Sequence, residues 1–386
     1  MKRSSKAWLA VLLLLPVAGC GGDSPTTPST VVPSVGGDLN VTVFYDENGN
    51  GVVDASEGTR LPDVMVEAGG KNGRTVKGSG RGTISAVPTG SQSVSIRTSS
   101  LPAYYRAGAA VTVTLPQDAN REILLPVTLS IGSNRANVYF EFGDSITDGD
   151  GSSNGDGYRG RLETRLVQQL NRANVSRNGN QGTTSAEGAA RIGAWLRDFR
   201  PAYMLILYGT NDWNQSACNS DISTCFTQAS IRSMVQQTKA NGSLPVVSTI
   251  IPANTGYDAR VPPDRNVRIQ QMNDQIRAVC QAEGCPVAES YNAFMTAAGG
   301  NLRSLYVDHI HPNDTGHDLI AQSFFEAITR ATGGNAASFG EPPEIAFAPS
   351  RFKKAGSEGR IPFAPTFPEG SIAPRGRMDF QSLERD

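Results

Sequence analysis

The chain has 386 residues, more than one hydrophobic core usually serves, so two domains plus some loose sequence are expected. With 35 Lys and Arg against 36 Asp and Glu there is no electrostatic reason for a polyanionic partner, and no nucleic-acid signature is present. Hydrophobic residues at 38% suffice for a packed core, whereas 41 Gly and 23 Pro exceed the needs of a compact chain and predict turns, linkers or tails.

Residues 1–20 read as an export leader. Lys2, Arg3 and Lys6 precede the apolar run Trp8 to Val17, which is too short to span a bilayer comfortably. The run ends in Val17-Ala18-Gly19-Cys20, which resembles the lipobox of bacterial lipoproteins. That resemblance, confined to the leader, implies lipidation of Cys20 and a membrane-anchored lipoprotein of the cell envelope; the alternatives are a plain cleaved signal and a secreted protein. Residues 21–37, rich in Ser, Thr, Pro and Gly, are expected to be a disordered tether. Beyond Cys20, the remaining Cys218, Cys225, Cys280 and Cys285 are an even number in a compartment that permits disulfides. Local pairing, 218 with 225 and 280 with 285, is the simplest of three connectivities. A zinc site is the weaker reading, because no histidine is near and the spacings are not paired CxxC.

From residue 38 to 130 short β-branched runs (Val41 to Phe44, Val64 to Val66, Val94 to Ile96, Val111 to Thr114, Ile123 to Leu125) alternate with turn residues and no helical period. A small all-β sandwich is expected. Within it Asp46-Glu47-Asn48-Gly49-Asn50-Gly51-Val52-Val53-Asp54-Ala55-Ser56-Glu57 fits the twelve-position calcium loop. Asp46, Asn48, Asn50, Asp54 and Glu57 supply side-chain oxygens, Val52 a backbone carbonyl, and Gly51 occupies the sixth position. The loop and the following Leu61-Pro62-Asp63-Val64 resemble the B-type modules of bacterial surface proteins, which implies a structural calcium; a plain Asn-Gly turn is the bland reading.

After Ser130 the rhythm changes to strands alternating with amphipathic helices, which predicts a parallel sheet flanked by helices over residues 137–332. Strands are expected at Val138 to Phe142, Asn174 to Arg177, Ala202 to Leu207, Pro245 to Ile251 and Pro286 to Ala288. Helical stripes run through Tyr158, Leu162, Leu166 and Leu170, then Ile192, Trp195, Leu196 and Phe199, then Val267, Met272, Ile276 and Val279, all read as core. A last helix carries Leu319, Ile320, Phe324, Phe325 and Ile328, and residues 333–386 read as a disordered tail.

Gly143-Asp144-Ser145-Ile146-Thr147 follows the first of these strands, and Ser145 therefore falls at the carboxyl end of a parallel strand, where open α/β sheets bind ligands. There the chain resembles the SGNH/GDSL hydrolases, and later strings arrive in that family's order. Gly179-Asn180-Gln181-Gly182-Thr183-Thr184 resembles the second block, although Arg177 stands where an Asn is common and Gln181 replaces a small residue. Gly209-Thr210-Asn211-Asp212 resembles the third, and Asp308-His309-Ile310-His311 the last. The resemblance spans residues 137–332 and implies a three-layer, flavodoxin-like α/β domain that cleaves carboxylic esters. It implies Ser145 as nucleophile, His311 as base, Asp308 as its orienting acid, and an oxyanion hole of Ser145, Gly182 and Asn211, with Gly179 as second choice for the glycine.

The chain has three histidines, His309, His311 and His317, so a histidine base must come from this neighbourhood. His311 fits the Asp-x-x-His spacing, His309 reads as a loop histidine, and His317 opens the last helix. Ser350-x-x-Lys353 lies in the Pro-rich tail with no helix to present it and is set aside. No cofactor is expected for catalysis. The expected partner is an ester, with acetylated carbohydrate favoured by the envelope location and appended β-module. A lysophospholipase or thioesterase of the same family, or a surface binding protein on an inactive hydrolase scaffold, are the alternatives.

Overall fold

The computed structural model describes residues 34–332 apart from 220, 258 and 260. The leader, Cys20, most of the tether and the tail lie outside the described residues. The all-β region begins with β1 (Val35–Tyr45), earlier than the sequence suggests, because Val35 and Gly37 already pair with Pro88 and Val87 of β4 (Arg81–Pro88). The tether reading is thus overturned for residues 35–37: backbone pairing, to which a polar composition is indifferent, holds them. Between β1 and β4 come β2 (Met65–Ala68) and β3 (Lys71–Arg74), and after them β5 (Gly90–Ile96), β6 (Arg106–Ala107), β7 (Val111–Leu115) and β8 (Glu122–Thr128). They form two four-stranded sheets, β4-β1-β8-β6 and β3-β2-β5-β7. Alternate residues of both, including Leu39, Val41, Val66, Ile84, Val94 and Leu125, fill one apolar core, as a half-buried strand of period two requires.

The α/β region runs from β9 (Arg135–Gly143) and α1 (Ser145–Asp148) through α2 (Arg159–Leu170), β10 (Asn174–Gly179), α3 (Ser185–Phe199) and β11 (Pro201–Leu207). It continues with α4 (Ser216–Asn219), α5 (Thr227–Ala240), β12 (Leu244–Ser248), α6 (Arg265–Glu283), β13 (Val287–Ala288), α7 (Ser290–Ala298) and α8 (Asp314–Thr329). All five strands pair in parallel in the order β10-β9-β11-β12-β13, the flavodoxin-like order. β9 and β11 are buried on both faces, and separate apolar layers cover them: Leu162, Leu166, Ile320 and Phe324 on one side, Ile192, Leu196, Met234 and Met272 on the other. In α6 one residue departs from the expected stripe, since Val267 is 58% exposed and Ile269 is buried in its place. The described cysteines pair locally, Cys218 with Cys225 and Cys280 with Cys285.

The two regions meet at the amino ends of the parallel strands. Asn137 in β9 donates to Glu47 at 2.6 Å and accepts from Thr59 at 2.9 Å. Tyr104 donates to the Pro245 carbonyl of β12 at 2.7 Å, and its ring packs edge-on to Tyr203 of β11. Leu129 and Ala136 contact both cores, so the join is apolar as well as hydrogen-bonded.

Candidate active site

Residues 138–142 of β9 are apolar except Glu141, and the strand ends at Gly143 because only glycine fits there. A Cβ on Gly143 would lie 2.0 Å from Thr147 Oγ1 and 2.5 Å from the Leu207 carbonyl. The chain then turns into α1, whose cap is Asp144: its Oδ1 accepts from Ile146 N at 3.0 Å. Ser145 thus starts a helical turn at the carboxyl edge of the sheet, 5% exposed. Asp144 is fully buried, and burial pushes its carboxyl up to about 7, with the Ile146 N–H opposing the shift and nearby Asp212 adding to it.

The loop before α8 brings His311 to the serine. Ser145 Oγ lies 3.0 Å from His311 Nε2, and His311 Nδ1 lies 2.7 Å from Asp308 Oδ2. The other oxygen of Asp308 accepts from the backbone N–H groups of Ile310 at 2.8 Å and His311 at 2.7 Å. Partial burial raises the Asp308 carboxyl, but these hydrogen bonds win and hold it below the usual carboxylate range. Since Asp308 is ionised and accepts only, His311 Nδ1 carries the proton and Nε2 presents its lone pair to the serine. Buried Asn254, after β12, fixes this loop by donating from its side chain to the Asp308 carbonyl and from its backbone to that of His309, each at 3.0 Å.

The expected oxyanion donors gather on neighbouring strand ends. Gly182 stands in the turn after β10, at φ +72° with open space where a side chain would project, and Thr183 N–H closes that turn onto Asn180. Gly179 is a glycine for a different reason: a Cβ there would strike the Asp148 backbone at 2.0 Å. Asn211 follows β11; its amide donates to the Thr183 carbonyl at 3.0 Å and lies 3.5 Å from Asp144 Oδ2.

The other histidines hold different positions. His309 packs tilted against Tyr257, ring centroids 6.3 Å apart, with its Nδ1 3.8 Å from Asp308 Oδ1, and His317 is buried in the first turn of α8, where Nε2 donates to the Asp150 carbonyl at 3.0 Å. Several supporting residues carry no sequence signal. The Arg191 guanidinium lies 4.3 Å over the Phe142 ring, donates to the Gly143 carbonyl at 2.8 Å and contacts Asn178 and Tyr208, bracing the end of β9. Asp212 accepts from Ser185 N at 2.8 Å and Thr227 Oγ1 at 2.6 Å, tying α3 and α5 to the Asn211 turn.

The residues read as a calcium loop form an irregular segment directly after β1. Asp46 and Glu57 are buried, and their carboxylates accept backbone N–H groups of Gly49, Gly51, Glu47 and Asp54. Asp54 accepts from the side chains of Asn48 at 2.6 Å and Asn50 at 2.9 Å, and Val52 N–H donates to Asn50 Oδ1 at 2.8 Å. Among the described residues no three or more His, Cys, Asp or Glu side chains stand grouped as a metal cluster. The donor set is nonetheless all oxygen, three carboxylates with two amides, which is the hard-ligand chemistry calcium takes.

Residues 142–319 match the model of the GDSL-like Lipase/Acylhydrolase family. The chain is 26% identical over 210 residues to Esterase TesA of Pseudomonas aeruginosa, covering 53% of this chain and 87% of that protein. Among solved structures it resembles an alpha/beta hydrolase enzyme from the metagenome of Lake Arreo, Spain, at 24% identity and TM-score 0.42, over 53% of this chain and 100% of that one. It also resembles an acetylxylan esterase from Geobacillus stearothermophilus, at 21% identity and TM-score 0.40, over 52% of this chain and 96% of that one.

Proposed function

We propose that this carboxylic ester hydrolase, whose residues 142–319 match the GDSL-like Lipase/Acylhydrolase model, works through a Ser145-His311-Asp308 acyl-enzyme mechanism. The observation that carries this reading is the relay itself, Ser145 Oγ to His311 Nε2 at 3.0 Å and His311 Nδ1 to Asp308 at 2.7 Å, already at the spacing of proton transfer. His311 takes the serine proton as Oγ attacks the ester carbonyl, and Asp308 holds the tautomer and offsets the imidazolium charge. The carbon–oxygen bond then breaks, His311 returns the proton to the departing alcohol, and water releases the acyl group by the same route. The oxyanion is held by the N–H groups of Ser145 and Gly182 and the Asn211 amide, each worth about 3 kcal/mol of barrier.

The substrate class favoured is a short acyl ester, acetyl on carbohydrate being the leading candidate. Support comes from the leader, whose Lys2, Arg3, Lys6 and Val17-Ala18-Gly19-Cys20 suit export and lipid attachment at Cys20, and from the β-region joined to the catalytic domain. The all-oxygen donor set of Asp46, Asn48, Asn50, Val52, Asp54 and Glu57 supports calcium binding by that region; bound there, the ion would bridge residues 46–57 and fix the turn. Ser145→Ala tests the mechanism. It should abolish hydrolysis of p-nitrophenyl acetate and labelling by an organophosphonate while leaving the folded signal intact. Retained turnover removes Ser145 as nucleophile, and a wild-type protein inert to every ester from acetate to palmitate would favour a binding protein.

A further inference from the structure

His311 faces more than Ser145. Asp150 Oδ2 lies 3.8 Å from His311 Nε2, the nitrogen that meets Ser145, while Asp308 occupies Nδ1. Asp150 is fixed from three directions. Its N–H donates to the Ser145 carbonyl at 3.1 Å, its own carbonyl accepts from buried His317 at 3.0 Å, and its Oδ1 accepts from Gln181 Nε2 at 3.1 Å. Gln181 also donates to Asp148 at 3.1 Å, and it precedes the Gly182 turn. The backbone is thus fixed at two points and the Gln181 bond orients the carboxylate, whose other oxygen, on a side chain 35% exposed, faces His311.

The Nε2 position fixes where a departing alcohol must be. That nitrogen returns its proton to the ester oxygen as the carbon–oxygen bond breaks, so the leaving oxygen comes within about 3 Å of it. Atoms one or two bonds further along the alcohol then fall beside Asp150 Oδ2. An ionised carboxylate only accepts hydrogen bonds, so whatever it recognises there must donate.

We propose that Asp150, held by Gln181, is a specificity-determining residue that selects alcohols bearing a free hydroxyl next to the ester oxygen, and disfavours those that place a phosphate or carboxylate there. The substrate class is then a partly acylated polyol, such as a sugar with a free neighbouring hydroxyl. Like charge strengthens the rejection of anions, because Asp148 and Asp308 both act on Asp150, although the Arg177 guanidinium, bonded to the Gly155 carbonyl, opposes them. This inference rests on the assignment of Ser145 and His311 above.

Two acetates that differ in one hydroxyl test it: 2-hydroxyethyl acetate and 2-methoxyethyl acetate, with the full chain and Asp150→Asn. The wild type should favour the hydroxyl ester by about tenfold or more in kcat/KM, the value of a hydrogen bond to a charged group. In Asp150→Asn the amide oxygen can keep the Gln181 contact and turn its NH2 to the cleft, so the ratio should fall to near one. A wild-type ratio near one overturns the proposal without any variant. So does an equal loss on both esters in Asp150→Asn, which would assign the carboxylate to the charge on His311 instead. Hydrolysis of 2-methoxyethyl acetate by Ser145→Ala would fail the nucleophile assignment and is thereby told apart from failure of the Asp150 reading.

Discussion

The Asn211 amide donates to the Thr183 carbonyl at 3.0 Å, so one of its hydrogens already holds the glycine turn in place before any substrate arrives. In the proposed oxyanion hole Asn211 would thus serve twice, through its amide and through the placement of Gly182. Asn211→Ala should lower kcat by about 10²–10³ with little change in KM, since the interaction strengthens only as the carbonyl oxygen becomes charged. Unchanged kcat on p-nitrophenyl acetate would remove Asn211 from the hole.

Asp308→Asn should leave the loop closed, because one side-chain oxygen can still accept from the Ile310 and His311 N–H groups. The amide would present a donor to His311 Nδ1 and favour the tautomer with its proton on the serine side. Turnover should fall by about 10³–10⁴ near neutral pH, with a near-native melting temperature. A loss below tenfold would show that Asp308 does not set the tautomer.

Two buried groups make stability depend on pH in opposite senses. Both carboxyl oxygens of Glu141 are buried in β9 without a hydrogen-bond partner, and burial raises its carboxyl far above the usual range. The native state therefore keeps a proton that the unfolded chain releases near pH ~4.3, so stability falls as pH rises above that value, by up to about 1.4 kcal/mol per unit. Glu141→Gln should flatten urea midpoints compared between pH 5 and 8; an undiminished slope would refute the assignment.

His317 acts at the acid side. Burial pushes its imidazole down to about 4, whereas the Asp150 carbonyl bond works the other way and Arg161 adds to the depression. The unfolded chain takes up a proton near pH ~6.5 that the native state refuses, so stability is complete above that pH and is lost toward pH 4, by about 3 kcal/mol in all. His317→Phe should remove that acid limb from the unfolding profile, whatever its effect on absolute stability. Persistence of the limb would place the titration elsewhere.

Calcium, if held by residues 46–57, should raise the melting temperature and protect the loop from proteolysis. At a hundredfold excess over its dissociation constant the gain is about 2.7 kcal/mol. Asp54→Ala should abolish the response, and identical melting in calcium and in EGTA would dismiss the site.

Ser145 and Asn211 were legible because each lies in a string directly after an apolar strand. The Asp308 to His311 segment follows no strand and was legible from its Asp-x-x-His spacing in a chain with three histidines. The resemblance ranks Gly182 above Gly179 but does not reveal why each is glycine, a packing demand at 179 and a positive φ at 182. Arg191, Asn254, Gln181 and Asp150 act through contacts across tens to more than a hundred positions and leave no local pattern. α5 escaped for another reason: its buried face includes Thr227, Ser230 and Thr238, polar residues that a hydrophobic period does not register.

The attachment of the β-region beneath the sheet has a practical corollary for anyone trimming this protein. Ser145, Gly182 and Asn211 occupy the opposite strand ends, so no residue of β1 to β8 need touch substrate, yet cutting at residue 137 would strip Tyr104 and Leu129 from the floor of the catalytic core. A shortened enzyme should keep its selectivity and lose its solubility.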